Sequence, residues 1–451
     1  MRTEDSTFNS RHLLDRLARL PSPRKYWIGF SGGADSTALL QAMCECRKDL
    51  AVPIHAAHFH HGLQADADSW LDHCRSFCTA REIPFHSERL EIDTSARGSP
   101  EEEARNSRYR AVAGILGERE MYLTAHHSGD QAETLFLNLM RGSGVEGLAG
   151  IPVLRNLEAG WVARPLLDCT RPELERFLES RDIPWLTDPS NADTSFDRNY
   201  LRRDLFPQLE TRWPGLTNRL ARTARNARIT AGAMAMFIES QSGDLIRDRL
   251  KMPLQKLLEL DPEMQTLILR QWLRRHEVPV LPEARLREFL DQLSGTRVES
   301  QAEVQWEDWM IKRYKHELWL HRRSPFIACP KMKWKSGMKL ELGPDTGWLR
   351  LSGKNTNIPD AWKVRARKPG DRIRTVPDGP SRKLKQLFQS ALIPPWLRPG
   401  IPVLEWDGEP VALGDWVIGH RLQSWLFENN LTYQWRPSDP VLNRVRTDSQ
   451  R

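Results

Sequence analysis

The chain has 451 residues, more than one domain of about 100–200 residues holds, so we expect two to four domains. Charged residues make up 28% of the chain, no apolar run approaches the ~18 residues of a membrane-spanning helix, and six scattered cysteines are too few for a disulfide scaffold. The first ten residues contain acids and lack an apolar core, so we expect no signal peptide and a cytoplasmic protein; the net charge is a modest +7.

Short apolar runs alternate with helical patterns in the first part of the chain. Strands are predicted in order at 25–30, 54–59, 84–90 and 121–125. Helices are predicted after them at 37–43, 70–81, 101–116 and 131–140. Strands that alternate with helices build a parallel sheet covered on both faces, so we expect an α/β fold with a doubly wound parallel sheet. Ligands of such sheets bind beyond the carboxyl ends of the strands.

The pattern changes after Trp213. Asp261 and Pro262 are the residue types of a helix start, and the stretch to about residue 300 is predicted to be mostly helical. Recurring Gly and Pro with short apolar runs at 348–351 and 411–413 predict a small α+β domain at the end. We therefore predict three domains, a catalytic domain at 1–213, a helical middle domain at 214–332 and a basic α+β domain at 333–451.

The sharpest local motif is Ser31-Gly32-Gly33-Ala34-Asp35-Ser36, directly after the first strand and before the first helix of the sheet. Two glycines let the backbone turn tightly, and the helix start offers free N–H groups, so the motif predicts an anion site. A plain strand-to-helix turn capped by Asp or Ser is the structural alternative. The Walker A motif does not occur in the sequence, which argues against a kinase or GTPase.

Basic residues concentrate in two places. Residues 198–228 contain eight arginines against two acids, and residues 365–385 contain eight basic residues against two acids. A solvated charged face is the simpler explanation of one such cluster, but two of them predict a polyanionic partner. We expect RNA contacts from residues of both clusters: Arg219, Arg222 and Arg225, which are spaced along one helical face, and Arg372, Lys383 and Lys385.

Several further motifs give the chain a family resemblance. The loop at 31–36 is similar to the pyrophosphate loop of the PP-loop ATPases. Within that superfamily the chain resembles the tRNA(Ile)-lysidine synthetases, through short sequence motifs that occur in the same order along most of its length. These motifs are His60-His61-Gly62-Leu63, Ala104-Arg105, Arg108-Tyr109, Ala125-His126-His127, Asp130-Gln131-Ala132-Glu133-Thr134, Arg141–Gly144, Arg164–Leu167, Asp188-Pro189-Ser190-Asn191, Arg198-Asn199, Arg202, Lys368–Arg372, Lys383–Lys385, Pro394–Trp396 and Gly414-Asp415.

The resemblance implies a PP-loop (adenine nucleotide α-hydrolase-like) fold and an ATP-dependent ligase. It would join lysine to C2 of the wobble cytidine of an isoleucine tRNA with a CAU anticodon, through an adenylated cytidine, with ATP and Mg²⁺ as cofactors. Ser31–Ser36 would hold the phosphates and Asp35 the Mg²⁺, while Asp35, Asp130 and Arg198 are the predicted catalytic residues. The predicted substrate contacts are Asp130, Glu133, Arg105, Arg108, Asn199 and Arg202, with Asp130 and Glu133 holding either the base or the lysine ammonium.

One position departs from the family pattern. The family usually has two adjacent acids before Gln-x-Glu-Thr, whereas this chain has Gly129-Asp130. Taken alone, Asp130 with Glu133 three residues later is also the pattern of a helix-capping box. Gly129 leaves open a non-catalytic tRNA-binding protein, and the superfamily leaves open a tRNA-thiolating enzyme, although the cysteine pairs lack the C-x-x-C spacing of an iron–sulfur site. The oligomeric state also stays open, a homodimer included.

Overall fold

The computed structural model describes residues 8–60, 67–90, 100–187, 193–295, 302–322, 328–334, 339–353 and 358–449. The chain divides into two compact units, Met1–Met236 and Phe237–Arg451, each of which is described by itself. Of the helices in the described ranges, none combines the length and the apolar character needed to cross a membrane. The division into three domains stays a prediction.

The first unit is built on a six-stranded sheet. Its strands are β1 (Tyr26–Gly29), β2 (Ile54–His60), β3 (Phe85–Arg89), β4 (Met121–Leu123), β5 (Leu154–Leu157) and β6 (Gly160–Ala163). They lie in the order β3-β2-β1-β4-β6-β5, and all neighbours are parallel except the β5–β6 pair. The four predicted strands and the parallel sheet are confirmed.

Helices cover both faces of this sheet. Of the helices, α1 (Ser10–Leu17), α2 (Ala34–Glu45), α3 (Ala67–Thr79) and α7 (Arg171–Glu179) pack on one face and α4 (Pro100–Ile115) on the other. The further helices up to residue 246 are α5 (Ser128–Met140), α6 (Val145–Leu148), α8 (Asp197–Tyr200), α9 (Phe206–Arg212) and α10 (Leu216–Ile246). Side chains of a strand alternate between faces, so Ile28 packs with α2, α3 and α7, whereas Trp27 packs with Val112 of α4 on the opposite face. The doubly wound arrangement is therefore confirmed.

The order of the strands determines where a ligand can bind. From β1 the chain moves outward through β2 to β3, and it then returns to place β4 on the other side of β1. The carboxyl ends of β1 and β4 therefore form the switch point of the sheet, where ligands of this fold class bind. The loop at 31–33 and the segment at 124–127 both leave the sheet at this edge.

The second unit begins with helices and a small sheet. The helices are α11 (Leu254–Leu258), α12 (Pro262–Arg275) and α13 (Glu283–Gly295), and they confirm the predicted helical region. The strands β7 (Lys251–Pro253), β8 (Glu303–Trp306), β9 (Trp309–Tyr314) and β10 (Glu317–Arg322) form an antiparallel sheet that we did not predict. Its turns place Glu307 and Lys315 at positive φ, where Gly or Asn would have given the usual hairpin signal.

The end of the chain confirms the predicted α+β region. A five-stranded sheet contains β11 (Met332–Lys333), β14 (Trp362–Arg365), β17 (Val403–Trp406), β18 (Glu409–Leu413) and β19 (Val417–Ile418). Two smaller sheets contain β12 (Lys339–Gly343), β13 (Gly347–Gly353) and β20 (Leu431–Arg436), and β15 (Arg372–Ile373) with β16 (Arg382–Lys383). The helices are α14 (Leu384–Ser390), α15 (His420–Glu428) and α16 (Pro440–Ser449). Several tryptophans, among them Trp362 and Trp435, pack into the common core.

Candidate active site

The loop between β1 and α2 has the geometry of an anion cradle. Gly32 adopts φ +82°, and a Cβ there would lie 3.0 Å from Leu186 Cδ1, so the turn requires glycine. Ser36 Oγ donates to the Gly33 carbonyl at 3.0 Å and lies 3.0 Å from Ser31 Oγ. Gly33 is the N-cap of the 12-residue helix α2 and supplies no side-chain cap, so the N–H groups of the first turn can meet a ligand.

A cavity of about 480 Å³ opens beside this loop at the switch point of the sheet. Ala57, Phe59 and Tyr122 give it an apolar side, which suits a flat ring. Its lining brings together eight of the predicted site residues: Ser31, Gly33, Asp35, Ser36, Arg105, Arg108, Asp130 and Arg198. Ser31 and Arg198, which are 167 positions apart in the sequence, therefore meet in one space.

Charges of opposite sign line this cavity. Asp35 and Asp130 supply carboxylates, whereas Arg105, Arg108 and Arg198 supply guanidinium groups. Among the described residues, no carboxylate forms an ion pair with Arg105 or Arg108, so both are available to neutralise phosphate groups. The cavity thus suits a ligand that carries both an anionic and a cationic part.

A capping box begins α5, but it differs from the predicted one. His127 is the N-cap: its Nδ1 accepts from the Gly129 N–H at 2.9 Å, and its own N–H donates to Asp130 Oδ2 at 2.8 Å. The predicted box from Asp130 to Glu133 is wrong, because an imidazole nitrogen can cap a helix and the helix begins at Ser128. Asp130 therefore stabilises the helix start and lines the cavity with the same carboxylate.

Asp35 lies in the first turn of α2 and faces α5. Its Oδ1 is buried without a hydrogen-bond partner among the described residues, and its Oδ2 lies 3.8 Å from His127 Nε2. Burial raises the pKa of Asp35, and the neighbouring His127 and Arg171 act in the opposite direction. A carboxylate oxygen left without a partner fits a hard cation such as Mg²⁺.

Arg202 links the two acids of α5 at the back of the cavity. Its Nε and Nη2 donate to the two carboxylate oxygens of Glu133 at 2.8 and 3.1 Å, and Nη2 lies 3.3 Å from Asp130 Oδ1. Arg202 reaches both acids from the π-helical turn Leu201–Leu205. Such a distortion of a helix often occurs at functional sites. Burial raises the pKa of Glu133, which is 2% exposed and does not line the cavity.

The sequence analysis missed His126 as a site residue. His126 lines the cavity, its Nδ1 shares a hydrogen bond of 2.7 Å with Thr124 Oγ1, and burial lowers its pKa to about 4. The imidazole is therefore neutral at pH 7. The available signal was its position directly after β4, at the edge of the sheet where ligands bind.

The other predicted residues lie elsewhere. Asn199 donates from Nδ2 to the Asp193 carbonyl at 2.8 Å and does not line the cavity. Ala34 is buried at the start of α2. Of the sequence motifs that carry the family resemblance, His61, Gly62, Leu63 and the segment 188–191 lie outside the described residues.

The two basic clusters differ in how far they reach solvent. Arg219, Arg222 and Arg225 are exposed on α10, and among the described residues they form no ion pair with a carboxylate. In the second unit, Arg365 is buried and paired with Asp371 and Glu405, so it belongs to the core. Arg372 and Lys383 face each other across β15 and β16, and Lys385 is exposed nearby in α14. Like charges at directly opposite positions repel, which favours an anionic partner.

Comparison with known proteins identifies the family. Three family models match in order: a PP-loop domain over residues 6–209, a TilS substrate binding domain over 252–319 and a TilS substrate C-terminal domain over 362–435. The tRNA(Ile)-lysidine synthase of Xanthomonas axonopodis pv. citri is 34% identical over 422 residues, which are 92% of this chain and 94% of that protein. The chain belongs to the tRNA(Ile)-lysidine synthase (synthetase) family.

Other members are similar over nearly the same length. The tRNA(Ile)-lysidine synthase of Legionella pneumophila strain Paris is 31% identical and covers 93% of this chain and 96% of its own. That of Xylella fastidiosa is 34% identical and covers 93% and 97%. The resemblance predicted from the motifs, with its PP-loop ATP-binding fold and ligase class, is confirmed. Because the chain belongs to the tRNA(Ile)-lysidine synthase family, the alternative that it is a tRNA-thiolating enzyme is set aside.

Proposed function

We propose that this chain joins lysine to C2 of the wobble cytidine of an isoleucine tRNA with a CAU anticodon, in the cytoplasm. ATP is consumed, an adenylated cytidine is the intermediate, and AMP and pyrophosphate are released. The observation that carries the proposal is the cavity at the switch point, where a phosphate loop, carboxylates and arginines meet. The family membership of the whole chain supports the same chemistry.

In the first step, cytosine O2 attacks the α-phosphate of ATP and pyrophosphate leaves. The N–H groups at the start of α2, with the hydroxyls of Ser31 and Ser36, would hold the phosphates. We assign Arg198, which lines the cavity, to the charge that develops on the α-phosphate. Asp35 would hold a Mg²⁺ ion, which when bound supplies further charge neutralisation on the triphosphate.

In the second step, the lysine ε-ammonium loses a proton, and the neutral amine attacks C2 of the adenylated base and displaces AMP. We assign Asp130 to the lysine ammonium because its carboxylate lines the cavity, and Glu133 to a supporting role because it reaches Asp130 only through Arg202. Although burial acts to raise it, the pKa of Asp130 is lowered by His127, His126, the His127 N–H and Arg202, so it stays ionised. An ionised carboxylate suits a cationic side chain.

The tRNA has to present one base to this cavity. A base in an anticodon loop leaves its stack at small cost, and Arg105 and Arg108 would meet the target nucleotide. Asn199 would position the segment that carries Arg198, since its amide holds the Asp193 carbonyl. The exposed arginines of α10 and the cluster around Arg372, Lys383 and Lys385 would contact phosphates, which position the RNA without specifying its sequence.

The test is incorporation of radiolabelled lysine. Wild-type protein with ATP, Mg²⁺ and isoleucine tRNA of anticodon CAU should label the RNA and release AMP and pyrophosphate in equal amounts. Asp130→Asn should abolish labelling while tRNA binding persists, because the ammonium loses its counter-charge. Asp72→Asn, an exposed acid on α3, is the matched control and should label normally. Folded wild-type protein that binds this tRNA and never labels it would contradict the proposal.

A further inference from the structure

His127 lies between the two carboxylates of the cavity. Its Nε2 lies 3.8 Å from Asp35 Oδ2 and 3.8 Å from Asp130 Oδ2, and its side chain is 6% exposed. Asp35 is carried by α2 and Asp130 by α5, so the imidazole of the α5 N-cap lies near an acid of each helix. So far this histidine has served only as the cap of α5 and as one of the groups that keep Asp130 ionised.

The ring can occupy that place because residue 129 has no side chain. A Cβ on Gly129 would lie 2.6 Å from His127 Cε1 and 2.9 Å from its Nδ1, distances that a Cβ does not tolerate. The ring end of a histidine is mobile, so any side chain at 129 would push the imidazole aside and leave the backbone in place. Gly129 thus decides where the imidazole lies.

The cap also decides which ring nitrogen carries the proton. A backbone N–H only donates, so the bond from Gly129 N–H requires an unprotonated Nδ1. The ring proton is therefore on Nε2, the atom that faces Asp35 and Asp130. The Nε2–H group then lies 3.8 Å from one oxygen of each of two acceptor-only carboxylates, longer than a hydrogen bond but close enough for electrostatic attraction.

We propose that Gly129 and His127 form a coupled pair that positions Asp35 and Asp130 for the reaction. Gly129 admits the imidazole, and the Nε2–H group attracts the two carboxylates electrostatically and so favours their orientations around the cavity. His127 is a positioning residue, since it acts through the two acids. Gly129, which stands where the family usually has an acid, therefore contributes to the geometry of the site. The kinetic part of the test rests on the proposed function, and the spectroscopic part does not.

Gly129→Ala tests the pair. The new methyl group should displace the imidazole and lower kcat for lysidine formation by between about tenfold and a hundredfold, as misplacement of catalytic groups does, with the Kd for tRNA unchanged. The unfolding midpoint should change by less than about 4 °C, because alanine favours the helix while the cap is lost. Gly232→Ala is the matched control: it lies in α10, its Cβ would meet nothing within 4 Å, and kcat should stay at the wild-type value.

His127→Asn separates positioning from capping. Asparagine is a good N-cap, but its side chain is too short to reach both acids, so kcat should fall as in Gly129→Ala. In the double variant the two losses should not multiply, because both remove the same contact. Losses that multiply, or a Gly129→Ala variant with wild-type kcat, would overturn the proposal.

A spectroscopic readout keeps the two proposals apart. In protein labelled with ¹⁵N-histidine, the resonances that disappear in His127→Asn should show an unprotonated Nδ1 and a protonated Nε2, and Gly129→Ala should shift them. A wild-type protein without lysidine activity would overturn the proposed function alone. A protonated Nδ1, or a ring unaffected by Gly129→Ala, would overturn the coupled pair alone.

Discussion

His126 makes the stability of the first unit depend on pH. Burial lowers its pKa to about 4, against about 6.5 in an unfolded chain. Between these values the unfolded chain binds a proton that the folded chain excludes, so stability is complete above pH 6.5 and falls as the pH falls toward 4. We expect wild type to lose about 2 kcal/mol more than His126→Gln between pH 7.5 and pH 5.0 in urea unfolding. Equal losses in both proteins would contradict this expectation.

Arg202 should be the most sensitive residue of the acid cluster. Its removal leaves Glu133, which is 2% exposed, and Asp130 without a cation. We expect Arg202→Ala to lower the free energy of unfolding by about 3 kcal/mol, the usual result of breaking a buried pair on one side. Adding Glu133→Gln should restore part of the loss, because the stranded charge is removed. The prediction fails if denaturant unfolding shows Arg202→Ala to be as stable as wild type.

Single residues of the site were predictable where one physical need dictates the residue type. Gly32 needs a positive φ, and the serines and Asp35 follow from an anion site at a helix start. The role of His127 was not predictable, because it depends on a contact between two helices that only the folded chain brings together. Glu133 was predicted to contact a substrate and does not line the cavity, since sequence spacing does not give the direction of a side chain.

At the scale of elements, the exposed arginines of α10 form a basic surface. Arg222 and Arg225 are exposed on one side of a helix whose Ala224 is fully buried. Arg222→Gln with Arg225→Gln should weaken tRNA binding and lower the slope of log K against log salt by about 2, since each lost phosphate contact contributes about 0.9. Circular dichroism should show the helix intact. Arg11→Gln with Arg19→Gln, two exposed arginines of the first unit, should leave the slope unchanged; an equal effect there would refute a specific role for α10.

Elements were predictable where their periodicity is strong. The four parallel strands and their helices follow from apolar runs of the expected length, and the structure places them within a few residues. The sheet of β7 to β10 was missed because its turns use Glu307 and Lys315 at positive φ. Residues of that type give no turn signal, and the conformation is imposed by pairing between the strands.

At the scale of the whole molecule, the cavity and the second basic cluster lie in different units. The cavity and its carboxylates belong to the first unit, whereas Arg372, Lys383 and Lys385 belong to the second. Counting charges in the sequence overstated the second surface, because the pairing of Arg365 with Asp371 and Glu405 is internal. What remains exposed includes the facing pair Arg372 and Lys383, which repel each other unless an anion lies between them.

This division predicts that RNA binding can be weakened without loss of ATP binding. Lys383→Gln with Lys385→Gln should raise the Kd for tRNA at physiological salt and lower the salt slope by about 2, while the Kd for ATP stays at its wild-type value. Lys331→Gln with Lys333→Gln is the matched control, because these lysines have the same spacing, lie in the same unit and are exposed. Fluorescence anisotropy over a series of salt concentrations measures both variants. An unchanged slope in Lys383→Gln with Lys385→Gln would show that these lysines do not contact the RNA. An equal fall of the slope in the control would show that the effect comes from the net charge of the protein and not from this cluster.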